Sequence, residues 1–332
     1  MTNRFGIRTA LAALAALALC APAQAQLFRA YLASDGSDAN PCTLSQPCRL
    51  MPAALAAVAD GGQIWMLDSA NYNTSPVVIA KSVSILAVPG AVGSLVAFPF
   101  AAVQISTGVS VSLRNLVIGP PPGGGGGAGV VISAGNLSVE HCVIANLAGR
   151  AIEASATAVV RVYETTIRQN SDGGLIFREG ARGTVARVYA VGNGGAAIMG
   201  YGEATGHTIV DITDSVVEGS FSGINGSSQQ FAASVTMTVA NSQIVRNQYG
   251  VLGETVFSGP VIISAKNNVI SNNLASGVYS AGNGVKIWAA GNTVTGNAIG
   301  LNAGAILESA GTNDVRNNTQ NTSGSVTTFP RI

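Results

Sequence analysis

The chain holds 332 residues, 47% hydrophobic, 10% charged and 5% aromatic, with 41 glycines and a formal net charge of +1. So little charge, evenly balanced, excludes a disordered polyelectrolyte, a coiled coil and a basic nucleic-acid binder. Abundant glycine with scarce aromatics predicts many turns and a core of small aliphatic side chains.

Arg4 and Arg8 open the chain, Leu11 to Leu19 are all Leu or Ala, and Ala23-Gln24-Ala25 has the small-x-small form of a cleavage point. Residues 1–25 therefore read as a signal peptide, and the expected location is secreted or periplasmic. The apolar run is shorter than the roughly 20 residues that cross a bilayer, so no transmembrane segment is expected. Leu19 before Cys20 disfavours a lipid anchor. Losing residues 1–25 removes two arginines and no acid, which turns the net charge to −1 and makes neither nucleic acid nor anionic membrane a favoured partner.

Cys42 and Cys48 follow Pro41 and Pro47 and lie close enough for a small disulfide loop in an oxidising compartment. Cys142 has no evident mate and reads as a small buried side chain. Leu50, Met51, Ala54, Leu55 and Val58 recur at helical spacing, with Pro52 in the first turn and Asp60-Gly61-Gly62 at the end. This predicts a short helix over 50–59 that hides an open end of the fold. Strands are expected at 64–67, 77–79, 83–88 and 109–113. Pro120 to Gly129, with five consecutive glycines, predicts a loose loop leaving one corner; it lacks the Lys-Ser/Thr ending of a phosphate-binding loop.

From about residue 110 one phrase returns: a Val- or Ile-containing strand, an aliphatic residue, two variable residues, then Asn or Gly. Its anchors are Gly119, Asn146, Asn170, Asn193, Gly219, Asn247, Asn272, Asn297 and Asn318, recurring about every 25 residues. Soon after most anchors comes a small residue followed by an aliphatic one, as in Ala151-Ile152, Gly223-Ile224 and Gly277-Val278. The period is too short for a propeller blade, and the prevalence of Val, Ile, Thr and Gly over Leu argues against a leucine-rich repeat. A parallel β-solenoid remains, with like positions stacked about 4.8 Å apart. The corner asparagines either bond the backbone of adjacent coils or serve only as exposed turn residues.

With Pro41-Cys42 to Pro47-Cys48, the helix, Gly61-Gly62-Gln63-Ile64 and coils of Asn-x-x-Gly-aliphatic type, the chain resembles the right-handed parallel β-helix proteins of the pectate-lyase-like superfamily over roughly residues 30–318. The resemblance implies an all-β, right-handed solenoid of about ten coils, the hand that parallel crossovers generally take. Residues 26–62 would form an N-terminal segment, 63–318 the β-helix and 319–332 a tail or cap. Many such proteins cleave acidic or neutral polysaccharides with carboxylates, bound calcium and basic residues. The motifs of the polygalacturonase-like members are missing: Thr208 follows Gly206-His207, and no two aspartates are adjacent. The Asp-His pairing and Arg-x-Pro-x-x-Arg of the pectate-lyase-like members are missing as well.

Charge nevertheless gathers between residues 150 and 187. Counting six back from the anchors puts Glu140, Glu164 and Arg187 in one column, with Asp211 and Asp214 one or two coils on. Two glutamates stacked on successive coils would lie roughly 5 Å apart, able to hold calcium or to share acid and base roles. The same residues suit a solvated strand face laced with ion pairs. Arg161, Tyr163, Tyr189 and Tyr201 are candidate ligand contacts, the tyrosines as sugar-stacking surfaces. His141 and His207 are too few for a zinc site, and Trp65 and Trp288 are expected to pack on the ends or sides. The expected function is an exported, non-catalytic scaffold that binds polysaccharide or another cell-surface component. The alternative is a divergent polysaccharide lyase or glycoside hydrolase using Glu140, Glu164, Arg187, Asp211 and Asp214. Calcium enters only under that alternative, and no other cofactor is expected.

Overall fold

The computed structural model describes residues 26–257 and 259–329, so the expected signal peptide and Cys20 lie outside the described residues. Many strands alternate: in Val83–Ala87 the first, third and fifth residues are buried and the two between are partly exposed, whereas Ser222–Ser228 is buried throughout. β-Branched and aliphatic side chains thus take one face of each strand and short polar ones the other. Every strand pairs in parallel with its counterpart one coil away, and the chain forms a 22-stranded and an 11-stranded sheet.

The larger sheet comprises two series of strands, which make two sides of the solenoid. Side one includes Ala101–Ile105, Ala128–Ile132, Arg150–Ala154 and their successors to Ser276–Ala281. Side two includes Val58–Met66, Val83–Ala87, Ser110–Arg114, Asn136–Glu140 and their successors to Val285–Ala290. The two series join only in the long strands Ile299–Ser309 and Gln320–Thr328. Side three is the 11-stranded sheet, from Ala70–Asn71 to Asp314–Arg316. Its eleven rungs slightly exceed the expected ten.

In-register pairing stacks the core. Ile85, Leu113, Val139, Val162, Val185, Ile212 and Val239 succeed one another along side two, each at most 1% exposed. Burying one such side chain stabilises the fold by about 1.5–3 kcal/mol. The helix is shorter than the spacing implies, Met51–Ala57, with Met51 and Ala54 fully buried against the first coil. Val58 already has extended backbone and begins a strand, because Asp60-Gly61-Gly62 lies within side two rather than at a helix end. Strand pairing also runs past both expected limits of the solenoid: Leu27–Leu32 pairs with Val58–Met66, and Gln320–Thr328 with Ile299–Ser309. Cys42 and Cys48 form a disulfide, and the loop it closes is hydrogen-bonded to Tyr31 of the first strand and to Ala33 just after it. The five-glycine segment leaves a corner as expected but folds back: a Cβ on Gly127 would lie 1.7 Å from the Phe100 carbonyl oxygen, so only glycine fits there.

Both sharp corners that flank side three use the same device. One residue adopts a left-handed conformation and turns outward, and the next points in and bonds its counterpart on the following coil. At the corner after side two the outward series is Asn115, His141, Glu164, Arg187, Asp214, Asn241, Asn267 and Gly291, all with φ between 45° and 65°. The inward residues there include Ser215, Ser242, Asn268, Asn292 and Asn313. Each main-chain N–H from Ser215 to Asn292 donates to the side-chain oxygen of the next residue in that series, at 2.9–3.2 Å. At the other corner Asn247, Asn273, Asn297 and Asn318 form the equivalent ladder. These amides serve buried backbone groups that no sheet reaches.

Candidate functional site

The corner geometry corrects the expected stack of glutamates. Glu140 ends its strand and pairs in register with Arg114 on one side and Tyr163 on the other. Glu164 belongs to the next position, the left-handed corner, where its neighbours are His141 and Arg187. The cause lies in the anchors used for counting. Asn146 and Asn272 are outward left-handed residues, whereas Asn170, Asn193 and Asn297 are inward ladder residues one position later. A fixed count back from the two kinds lands on different columns.

What forms instead is a column in which the acidic side chain of Glu164 lies between His141 and Arg187. His141 Nε2 lies 2.7 Å from Glu164 Oε2, and Arg187 Nη1 lies 3.0 Å from Glu164 Oε1 and also bonds the Tyr163 hydroxyl. Asp214 follows at the next corner and adds its negative charge near Arg187. Hydrogen bonds from Arg187 and Tyr163 hold the Glu164 carboxyl below its ordinary value. Partial burial pushes the Glu140 carboxyl up, but hydrogen bonds from Ser138 and Arg114 outweigh it and leave it lowered. Both are therefore carboxylates at neutral pH, and neither is poised as a proton donor.

The three candidate tyrosines fall on three different sides. Tyr163 is on side two, Tyr189 on side three and Tyr201 on side one, so they form no common stacking surface. Cys142 is buried beside the corner after side two, and burial pushes its thiol up to about 11, which leaves it unreactive. Among the described residues no group of three or more His, Cys, Asp or Glu side chains could hold a metal ion, and no helix is long and apolar enough to cross a membrane.

Two further expected residues share a column on the outer face of side two. Arg161 and Asp211 stand in one column, separated only by Thr184. That column reads Ser84, Ser112, Ser138, Arg161, Thr184, Asp211, Thr238, Ser264 over eight consecutive rungs, all of them partly or fully exposed. Gln63 precedes it, held by a 2.9 Å hydrogen bond from Arg29, and Trp288 closes it at the far end. Along its first four rungs runs an open groove of about 400 Å³, lined among others by Ser84, Ser112, Asn136, Ser138 and Arg161. The column is hydroxyl-rich, apolar side chains such as Val159 also line the groove, and neither Arg161 nor Asp211 has an ion-pair partner among the described residues.

The family model described as a right-handed beta helix region matches residues 101–255. Similar solved structures include an endo-xylogalacturonan hydrolase from Aspergillus tubingensis, 14% identical with a TM-score of 0.60, covering 91% of this chain and 93% of that one. A rhamnogalacturonan lyase is 15% identical with a TM-score of 0.56, covering 80% and 81%. A pectate lyase is 15% identical with a TM-score of 0.54, covering 93% and 78%. The chain is a right-handed parallel β-helix. At these identities the likeness shows the fold alone, and no curated protein matches the chain in sequence.

The β-helix carries a second charged network that the sequence reading left without a role. On side one Arg150 lies 3.4 Å from Glu153 and 3.1 Å from Asp172, while Arg178 pairs with Glu153 and, at 2.9 Å, with Glu203. Each of these carboxylates faces a guanidinium, so the network ties adjacent rungs together. A charge count could locate these residues, but only the register shows that they share a face.

Proposed function

We propose that this β-helix is an extracytoplasmic polysaccharide-binding scaffold that does not cleave its ligand. The observation that carries the reading is the side-two column of short polar side chains from Ser84 to Ser264, with its groove of about 400 Å³. Hydroxyls both donate and accept, which suits the hydroxyl-covered edge of a sugar chain, and Arg161 and Asp211 add one pure donor and one pure acceptor. A disulfide near the N-terminus suits an oxidising compartment. Binding without cleavage is supported by the state of the carboxylates: Glu140 and Glu164 are each held in the charged form by a neighbouring arginine, whereas a general acid needs a raised value.

The test is a glycan array on the purified protein, followed by titration calorimetry on the hits. Arg161→Ala with Asp211→Ala is expected to weaken binding about tenfold, since each substitution removes one charge-assisted contact. Release of new sugar ends from any bound polysaccharide, abolished by Glu164→Gln, would overturn the non-catalytic reading.

A further inference from the structure

We infer that the ligand of the side-two column is an extended, β-1,4-linked glycan lying along the solenoid axis with one pyranose on each rung. This rests on the reading of that face as a glycan site and adds the linkage class and the direction of the chain. Main-chain hydrogen bonding fixes successive rungs about 4.8 Å apart. The register of side two is continuous from Ser84 to Ser264, with no bulge at any step of the column. The column therefore offers one polar group per rung over roughly 34 Å. A β-1,4-linked chain of equatorially joined pyranoses is a flat ribbon that advances by nearly one rung spacing per sugar. Each sugar can then present an edge hydroxyl to the same column.

An α-1,4-linked glucose chain, joined axial to equatorial, coils instead. Successive sugars rotate away from a flat face, so only one in every few could reach the row of hydroxyls. Side one offers no equivalent row, because its central outward column mixes Glu153, Ile176, Met199, Asn225 and Leu252. Trp288 bounds the strip: its Nε1 donates to Glu308 and Lys286 lies over its ring, so the indole is a fixed wall after Ser264. Eight rungs accordingly set an upper length of eight sugars.

Calorimetry with β-1,4-linked oligosaccharides of glucose, xylose and mannose, two to eight units long, against α-1,4-linked glucose oligomers of equal length, tests this on the full protein. Affinity for the β-linked series should rise with each added sugar, by about tenfold between two and six units, and level off near eight. The α-linked series should bind at least about tenfold more weakly at six units. Thr184→Trp, at an exposed position in mid-strip, should end the gain with length at about four sugars, the rungs from Ser84 to Arg161, while leaving the melting temperature unchanged. Thr238→Arg should end it at about six, the rungs from Ser84 to Asp211. Binding that is lost in Arg161→Ala but shows equal affinity for both linkages, or no dependence on length, overturns the inference and leaves the glycan-binding reading standing. Absence of binding to either series and to the array overturns both.

Discussion

Asn268 donates twice to the same atom, Asn292 Oδ1, from its main-chain N–H and from its side-chain Nδ2, both at 3.0 Å. Asn292 in turn donates to the Ala265 carbonyl oxygen at 2.9 Å and to Asn313 Oδ1 at 2.8 Å. Asn268 and Asn292 are each 1% exposed, so water cannot replace a missing partner. Asn292→Ala would deprive the Asn268 main-chain N–H of its acceptor, leave its Nδ2 only the Val239 carbonyl, and remove a donor from the Ala265 carbonyl. A loss of about 3 kcal/mol in guanidinium unfolding is expected, within the usual cost of unsatisfied buried groups. A variant as stable as the parent would mean that the ladder is decorative.

The left-handed corners predict the opposite sign for one substitution. Ala156 has φ of 53° and an exposed side chain, a conformation that costs an L-residue roughly 1 kcal/mol and glycine almost nothing. Ala156→Gly should therefore stabilise the protein by roughly 0.5 kcal/mol, after allowing for the greater freedom of glycine in the unfolded chain. A drop in the denaturation midpoint would show that the side chain contributes packing that outweighs its strain.

The period of about 25 and the aliphatic columns were legible in the sequence, because burial leaves the same chemical mark on every coil. Register within a coil was not. Asn272 and Asn273 are adjacent and chemically identical, yet the first turns outward with φ of 56° and the second joins the inward ladder. Nothing in the sequence separates them, and the same ambiguity between outward Asn146 and inward Asn170 put Glu140 and Glu164 in one column when they lie one position apart. The strip from Ser84 to Ser264 was hidden for a related reason. Its members are 23 to 28 residues apart, since the corners differ in length, and only the pairing of main chains brings them into line. Arg161 and Asp211 were singled out by charge, without any means of seeing that they share a column.

The disulfide between Cys42 and Cys48 spans a separation of six residues. So small a loop removes little entropy from the unfolded chain, and the bond is expected to contribute about 2 kcal/mol at most. Its larger effect should be local. The Cys48 carbonyl accepts from Ala33 and its N–H donates to Tyr31, which anchors the first strand. Cys42→Ser with Cys48→Ser should raise amide exchange across Leu27–Leu32 well before it affects Val139 or Val162. Uniform loss of protection along the chain would contradict that localisation.

Acid should weaken the corner after side two in a defined window. Glu140 has a folded value below its unfolded one, and so does Glu164. A carboxyl of this kind contributes its full stabilisation above the unfolded value, about 4.3, and loses it as pH falls through the lower folded value. Melting temperature should therefore be level from about pH 7 to 5 and decline below about 4. The Glu140 side chain is 27% exposed and that of Arg114 53%, so solvent screening limits this pair to about 0.5 kcal/mol. Arg114→Gln removes one of the groups that lower Glu140 and should make the acid decline shallower, mainly by reducing stability at neutral pH. An identical profile in the variant would locate the acid sensitivity elsewhere, first at Glu164 beside Arg187.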